Sequence, residues 1–323
     1  MKHRRFITFA ILAVLVFAGV AFYGDLNETL HQIYGFPIRY WLLALGLALA
    51  NYLIRWLRWA YYLHLLGINV GIGTSATIFA SGLAMAISPG RLGELSKSYF
   101  LKEQANVPVA RSSAAVITER FTDVIAVLLL STWGLFLVPY GWTAFPVVIT
   151  GAFAVVFFLV SDWGARRVDI LPLPHRAKSF LGTSREAFRQ VLSPRPLVLA
   201  VALSTVAWLA EGAALWFVLQ GLGISASFGS AVSIYATATL LGAVTLLPGG
   251  LIGTEGSMIA LLQQLKISGA DASAATLIIR LSTLWFAVAI GVAATMYLYV
   301  LMSRRNAPPT VGDEAKEPFA DGD

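Results

Sequence analysis

The sequence predicts an all-α polytopic membrane protein with about six full spans and two Pro-Gly-broken helical hairpins, about eight transmembrane segments in all, arranged as an inverted internal repeat. Three observations predict it. Hydrophobic residues make up 58% of the 323 and charged ones only 12%, with a mean hydropathy of +0.74, which leaves too little polar side chain to clothe a soluble globule. Several apolar runs exceed the roughly 20 residues that a membrane-spanning helix needs. Two distant stretches also share one pattern: a Pro-Gly turn, a glycine, a carboxylate just after it, and an arginine deep in the next apolar segment.

The first stretch reads Ser88-Pro89-Gly90-Arg91-Leu92-Gly93-Glu94 and leads to Glu119-Arg120-Phe121-Thr122-Asp123; the second reads Leu247-Pro248-Gly249-Gly250-Leu251-Ile252-Gly253-Thr254-Glu255 and leads to Arg280. In so apolar a chain, a duplicated element with charges at matching places looks like a transporter repeat, whose substrate site lies where the copies meet.

Taken in order, Lys2-His3-Arg4-Arg5 precedes an apolar run from Phe6 to Tyr23, so the N-terminus is expected in the cytoplasm and the run is expected to be a retained helix rather than a cleaved signal. The next helix runs from about Pro37 to Leu66 and returns the chain inward. From Ile72 to Leu101 an apolar arm, the Pro89-Gly90 break and a short arm with Arg91, Glu94 and Lys97 read as a hairpin packed inside protein, because such an arm is a poor lipid-facing span. Helices from about Ser112 to Val138 and from Phe145 to Val160 then cross outward and back. The segment 161–196 carries seven arginines and lysines against three acids and reads as a cytoplasmic loop. Leu197 to Gln220 crosses outward, the second hairpin spans about Phe228 to Leu265, and the last helix, about Ala272 to Met302, ends at Arg304-Arg305 inside.

One transmembrane domain is thus expected over 1–303, with repeat 1 at about 38–161 and repeat 2 at about 197–303, followed by a disordered cytoplasmic tail over 304–323. Charge places the hairpins in opposite orientations. It does not decide whether they re-enter or cross fully.

An ionised side chain at the bilayer centre costs about 2.5–3.5 kcal/mol on insertion scales, so each needs a partner or water. Glu119 and Asp123 share a helix face, with Arg120 about 100° around it. Glu94 and Glu255 are expected to pair with Arg120 and Arg280, within each repeat or across the pseudo-twofold. Fixed ion pairs that lock broken helices are one account of these charges; an arginine that meets an anionic substrate is the other. The breaks at Pro89-Gly90 and Pro248-Gly249-Gly250 free the first N–H groups of a new helix, which suits a lipid phosphate near Arg91, Arg120 and Arg280; close helix packing is the plain alternative for the glycines.

Arg55 and Arg58, beside Trp56, Trp59, Tyr61 and Tyr62, read either as basic anchors in an aromatic belt or as a headgroup entry site. Glu211 has no evident local partner and is a candidate for proton coupling or for pairing with Arg280.

Cysteine is absent and the four histidines are scattered, so no metal site is expected. No cofactor is expected either. The net charge of +6 sits in loops beside apolar segments, as in membrane proteins generally, and nucleic-acid binding is not expected. No phosphate-binding loop, nucleophile elbow or zinc-protease helix is present, so the chain is not expected to be an enzyme.

At the two motifs quoted above, the chain resembles the flippase-like transmembrane domain of lysylphosphatidylglycerol synthases, from about Trp41 to Val300. The resemblance implies movement of an anionic or phosphate-bearing lipid between leaflets of a bacterial plasma (inner) membrane. It implies that Arg91, Glu94, Glu119, Arg120, Asp123, Glu255 and Arg280 line or support the path. Membrane lipids are the expected partners, with a homo-oligomer and a separate lipid-modifying enzyme as further ones. The sequence stops shortly after its last helix, so a stand-alone member without the aminoacyl-transferase domain is expected, and synthase activity is not carried over. A transporter of a small water-soluble anion and a membrane-embedded lipid-modifying transferase remain the alternatives.

Overall fold

The computed structural model describes residues 25–88, 93–135 and 175–305, with isolated positions in 16–23 and 143–167. Pro89, Gly90, Arg91 and the tail from residue 306 lie outside the described residues, as do most of the expected helices Phe6–Tyr23 and Phe145–Val160. Among the described residues the regular secondary structure is all helical.

Helix α1 is Leu26–Tyr34, started by Asp25, whose side chain accepts from the Asn27 and Glu28 N–H groups. The long α2, Ile38–Leu65, begins after Pro37. Helix α3, Ile72–Leu83, tightens into a 3-10 turn at Ala84–Ile87 just before the first break. The second arm, α4, is Ser96–Ala105 and stops at left-handed Asn106, and α5 is Val109–Leu135. The basic segment expected as loop holds an amphipathic helix, α6, His175–Val191, which buries Ala187, Phe188 and Val191 and ties to α5 through Ser184 Oγ donating to Ala110 O.

Helix α7, Pro194–Gly221, has proline in its first turn, where the missing N–H costs nothing. The second hairpin is α8, Phe228–Val244, a 3-10 turn at Pro248–Gly250, and α9, Gly253–Gln264. Helix α10, Gly269–Arg280, is capped by Ser268 and passes through a π-helical turn, Leu281–Trp285, into α11, Phe286–Arg305. Arg304 and Arg305 therefore close the last helix rather than open the tail.

Among the described residues, three helices are long and apolar enough to cross a membrane: Ile38–Leu65, Pro194–Gly221 and Gly269–Ser303; the apolar arms Ile72–Ile87 and Phe228–Val244 are shorter. A 28-residue helix is about 42 Å long, against a hydrocarbon core of about 30 Å. The protein is a polytopic integral membrane protein.

Helix α5 is long enough to cross too, but it carries Glu119, Arg120 and Asp123, and α2, α4, α6, α7 and α8 pack around it. Its charged turn falls between two apolar clusters. Ala114, Ala115 and Val116 belong to one with Trp59, Tyr62 and Phe79, and Ala126, Val127 and Leu128 to the other with Trp208, Leu215 and Tyr235. Burial inside protein is what lets this helix keep its charges.

The two hairpin tips touch. A Cβ added at Gly249 would lie 3.7 Å from Ile87 Cα and 3.2 Å from a Leu284 methyl. The first tip is held from behind by α11, where a Cβ added at Gly291 would fall 2.0 Å from the Ala84 nitrogen.

Candidate functional site

Three helices and the turn before one of them bring seven charges into one layer. Arg55 and Arg58 come from α2, Lys97 from α4, and Glu119, Arg120 and Asp123 from α5, while Glu94 sits just before α4. Arg58 Nη1 donates to Asp123 Oδ1 at 2.7 Å and to Thr122 Oγ1 at 3.1 Å, and it also contacts Ser204 Oγ. Asp123 Oδ2 faces Arg120 Nη2 at 3.0 Å, which also meets Glu94 Oε2 at 3.1 Å. Glu94 faces Lys97 Nζ at 3.8 Å, Lys97 pairs with Glu119 Oε2, and Glu119 Oε1 lies 3.8 Å from Arg58 Nη2.

The contacts close a ring of alternating charge: Arg58, Asp123, Arg120, Glu94, Lys97, Glu119 and back to Arg58. Arg55 adds a fourth cation, 3.7 Å from Asp123. The Lys97 ammonium also lies over the Trp59 ring, 4.6 Å from its centroid, and 5.3 Å from that of Phe79, where each ring face favours a cation. Six of the seven side chains are at most 7% exposed, and Arg120 alone reaches 22%. Four cations against three carboxylates leave one positive charge in excess, and the side chain that opens outward is a cation.

The second motif builds a smaller pair. Arg280 Nε donates to Glu255 Oε1 at 2.6 Å and Nη2 donates to the carbonyl of Gly249 at 2.7 Å. Glu255 is fully buried in the first turn of α9, where the helix dipole favours a carboxylate, and its Oε2 has no hydrogen-bond partner. Around the break, Leu246 (φ 53) and Ile252 (φ 71) hold left-handed backbone besides Gly249 and Gly250; at non-glycine positions this costs about 1–3 kcal/mol each and concentrates at functional sites. The π-helical turn directly after Arg280 is another feature frequent at such sites.

Both arginines reach one cavity. A space of about 270 Å³ is lined by Arg120, Asp123 and Arg280, with Ser88 before the first break and Gly249 and Gly250 at the second on its wall. Val124, Val127, Leu240 and Leu246 make its apolar side, and Leu246 is 67% exposed.

Glu94, Glu119, Arg120 and Asp123 are thus brought together, Glu255 joins Arg280, and both acid–arginine pairs form within their own motif. Arg55 and Arg58 do not anchor an interfacial belt: they are 6% and 0% exposed and complete the charge layer. Glu211 accepts from Tyr235 Oη at 2.6 Å, and that phenol also reaches Thr283 Oγ1 at 3.4 Å in the π-helical turn. Arg91 lies outside the described residues. Sequence reasoning missed Lys97 as a member of the site, although its place three residues after Glu94 was a signal. Ser204, Thr122 and Tyr235 gave none.

The model of the family described as the lysylphosphatidylglycerol synthase TM region matches residues 7–291, from the first apolar run into α11. The chain belongs to that family. Three relatives are described as UPF0104 membrane proteins. A UPF0104 membrane protein of Methanothermobacter thermautotrophicus is 25% identical over 328 residues, covering 92% of this chain and 96% of the relative. A second from the same organism is 24% identical over 89% of this chain and 92% of its own length. One from Methanocaldococcus jannaschii is 23% identical over 66% of this chain and 92% of its own. All three are archaeal membrane proteins. For this member of the lysylphosphatidylglycerol synthase TM-region family, the match spans both motifs, the charge layer and the Arg280–Glu255 pair.

Proposed function

We propose that this family member moves an anionic or phosphate-bearing lipid between membrane leaflets, with its headgroup passing through the cavity that Arg120 and Arg280 share. That sharing is the observation that carries the proposal. Two motifs far apart in sequence each deliver one arginine to one space between two touching hairpin tips, which is where a transporter built from repeats holds its substrate. The repeats are read as inverted, with six spans and two hairpins, both termini cytoplasmic.

The wall supports a lipid over a small soluble anion. Val244 and Leu246 stand 71% and 67% exposed at the mouth of the second hairpin, where acyl chains in the bilayer would meet them while the headgroup pairs with arginine. The proposed role is transport without covalent chemistry, in a plasma membrane of bacterial type or, as for the relatives, an archaeal one. Lipids are the partners; a second copy and a separate lipid-modifying enzyme are proposed as further ones.

The test is leaflet redistribution of labelled anionic phospholipids in liposomes holding wild type, Arg120→Ala or Arg280→Ala, each checked for folding by size exclusion. Movement by wild type that both folded variants lose supports the proposal. No movement of any anionic lipid by wild type rejects it in favour of a soluble anion or a lipid-modifying reaction.

A further inference from the structure

The cavity that Arg120 and Arg280 share treats the two charges of a zwitterion unequally. Arg120, Asp123 and Arg280 are the charged groups among the described residues that line it, so the wall carries one positive charge in excess. The two arginines each keep an open end. Of the Arg120 guanidinium, Nε and Nη2 are buried while the side chain as a whole is 22% exposed, which leaves Nη1. Arg280 commits Nε to Glu255 and Nη2 to the Gly249 carbonyl, and again Nη1 remains.

Asp123 is the reverse case. Its Oδ1 accepts from Arg58 at 2.7 Å, and its Oδ2, 3.0 Å from Arg120 and 3.7 Å from Arg55, is buried. The acid of this wall therefore has no uncommitted oxygen for an incoming cation, because three arginines of the protein already meet its charge. The acids nearest to the two arginines do not replace it: Glu94 and Glu255 are 3% and 0% exposed, and neither lines the cavity. Trp208 does line it, and an indole face attracts an ammonium. It is only 4% exposed, however, with the Tyr235 ring beside it at 6.5 Å between centroids.

A phosphate brought into this space meets two guanidinium ends. An ammonium meets their repulsion and no free carboxylate, and taking it out of water without a paired acid is unfavourable in itself. An unpaired charge of this kind is how a site excludes a wrong partner. We infer that the cavity is a charge filter: it accepts a lipid whose phosphate is the only charge of its headgroup, and rejects one that carries an amine as well. The inference rests on the translocation proposed above and deepens it. Phosphate is common to both lipid classes, so the arginines alone do not separate phosphatidylglycerol from phosphatidylethanolamine; the engagement of Asp123 by Arg55, Arg58 and Arg120 does.

The test is calorimetric titration of the purified full-length protein in uncharged detergent with three short-chain lipids. These are phosphatidylglycerol, phosphatidylethanolamine and N-acetyl-phosphatidylethanolamine, in which the amide removes the cation and leaves the phosphate. Wild type, Arg280→Ala and Thr239→Asp are compared, with folding checked by size exclusion. Thr239 is a half-buried residue of the same wall, and aspartate there supplies the acid that the cavity lacks. Wild type is expected to bind phosphatidylglycerol and the N-acetyl lipid at least about tenfold more tightly than phosphatidylethanolamine. Arg280→Ala is expected to weaken both favoured lipids about tenfold, and Thr239→Asp to narrow the preference.

Equal binding of all three lipids by wild type overturns the inference, and so does binding of none. Weak binding of the N-acetyl lipid overturns it too, since rejection would then follow size rather than charge. Phosphatidylglycerol binding that Arg280→Ala leaves unchanged, or a folded Thr239→Asp with the wild-type preference, has the same consequence. If Thr239→Asp does not fold, the amine and its N-acetyl derivative decide alone. Leaflet redistribution of the same lipids keeps the two readings apart. Selective binding without movement rejects translocation and leaves the filter standing, whereas phosphatidylethanolamine moving as fast as phosphatidylglycerol rejects the filter and leaves translocation standing.

Discussion

Arg280 holds the carbonyl of Gly249, thirty-one residues earlier in the chain, with its Nη2 at 2.7 Å. The same guanidinium keeps Glu255 with its Nε, so one side chain fastens the second hairpin tip to its own second arm and to α10. An anion that enters the cavity and competes for this guanidinium would also loosen the tip.

Arg280→Lys is therefore not a conservative change. An ammonium is a point donor and does not reproduce a planar fork aimed at Glu255 and Gly249 together. Leaflet redistribution by the folded variant is expected to fall at least about tenfold, the equivalent of about 1.4 kcal/mol. Wild-type rates in Arg280→Lys would show that charge alone suffices.

The charge ring is expected to behave as one unit. Lys97→Met or Glu119→Gln alone leaves a buried partner uncompensated and should cost about 3–5 kcal/mol. The double variant, which removes both, should cost less than the two single losses added, by about 1–3 kcal/mol. Thermal unfolding in detergent measures the cycle, and additive losses would dissolve the ring into independent contacts.

Gly291→Ala should separate α11 from the first hairpin tip, since the new methyl would overlap the Ala84 nitrogen. Overpacking of this kind costs about 1–3 kcal/mol. Gly46→Ala, in the middle of α2 with nothing within 4 Å of its added Cβ, is the matched control and should be neutral or slightly stabilising. The difference between the two melting temperatures carries the comparison.

Asp162 tethers the basic segment: its Oδ1 accepts from Arg185 at 2.8 Å and from Arg189 at 2.6 Å. The Arg185 hydrogen bond first, and Arg189 after it, hold this carboxyl below its usual range. A depressed carboxylate lends stability above its unfolded value of about 4 and loses it as pH falls through the folded one. Protection of the α6 amides, corrected for the intrinsic exchange rate at each pH, should therefore be constant around neutrality and fall in strong acid. Asp162→Asn should show the reduced protection already at neutral pH.

Much of the frame was legible. Proline and positive-inside charge marked α2 and α7 within a few residues, and the acids and arginines of the two motifs pointed to the cavity. The sequence did not choose between pairing within and across motifs, because that choice depends on how broken arms fold back. Arg55 and Arg58 misled: an arginine beside tryptophan and tyrosine reads alike at a membrane interface and in a packed interior, and only the position of α5 separates the two. Helix α1 was missed, although Asp25 followed three residues later by Glu28 is a helix-start pattern. Helix α6 was missed because a dense run of arginines suggested only sidedness.

The contact between Ile87 and Gly249 closes the turn before the first break against the second tip, beside the cavity that Gly249 lines. A cargo held by Arg120 and Arg280 would not need to travel far; it would need these two tips to part. On the translocation proposed above, the slow event would be the opening of this seam, and the bulk of the side chain at Ile87 would set its rate more than the depth of the membrane would.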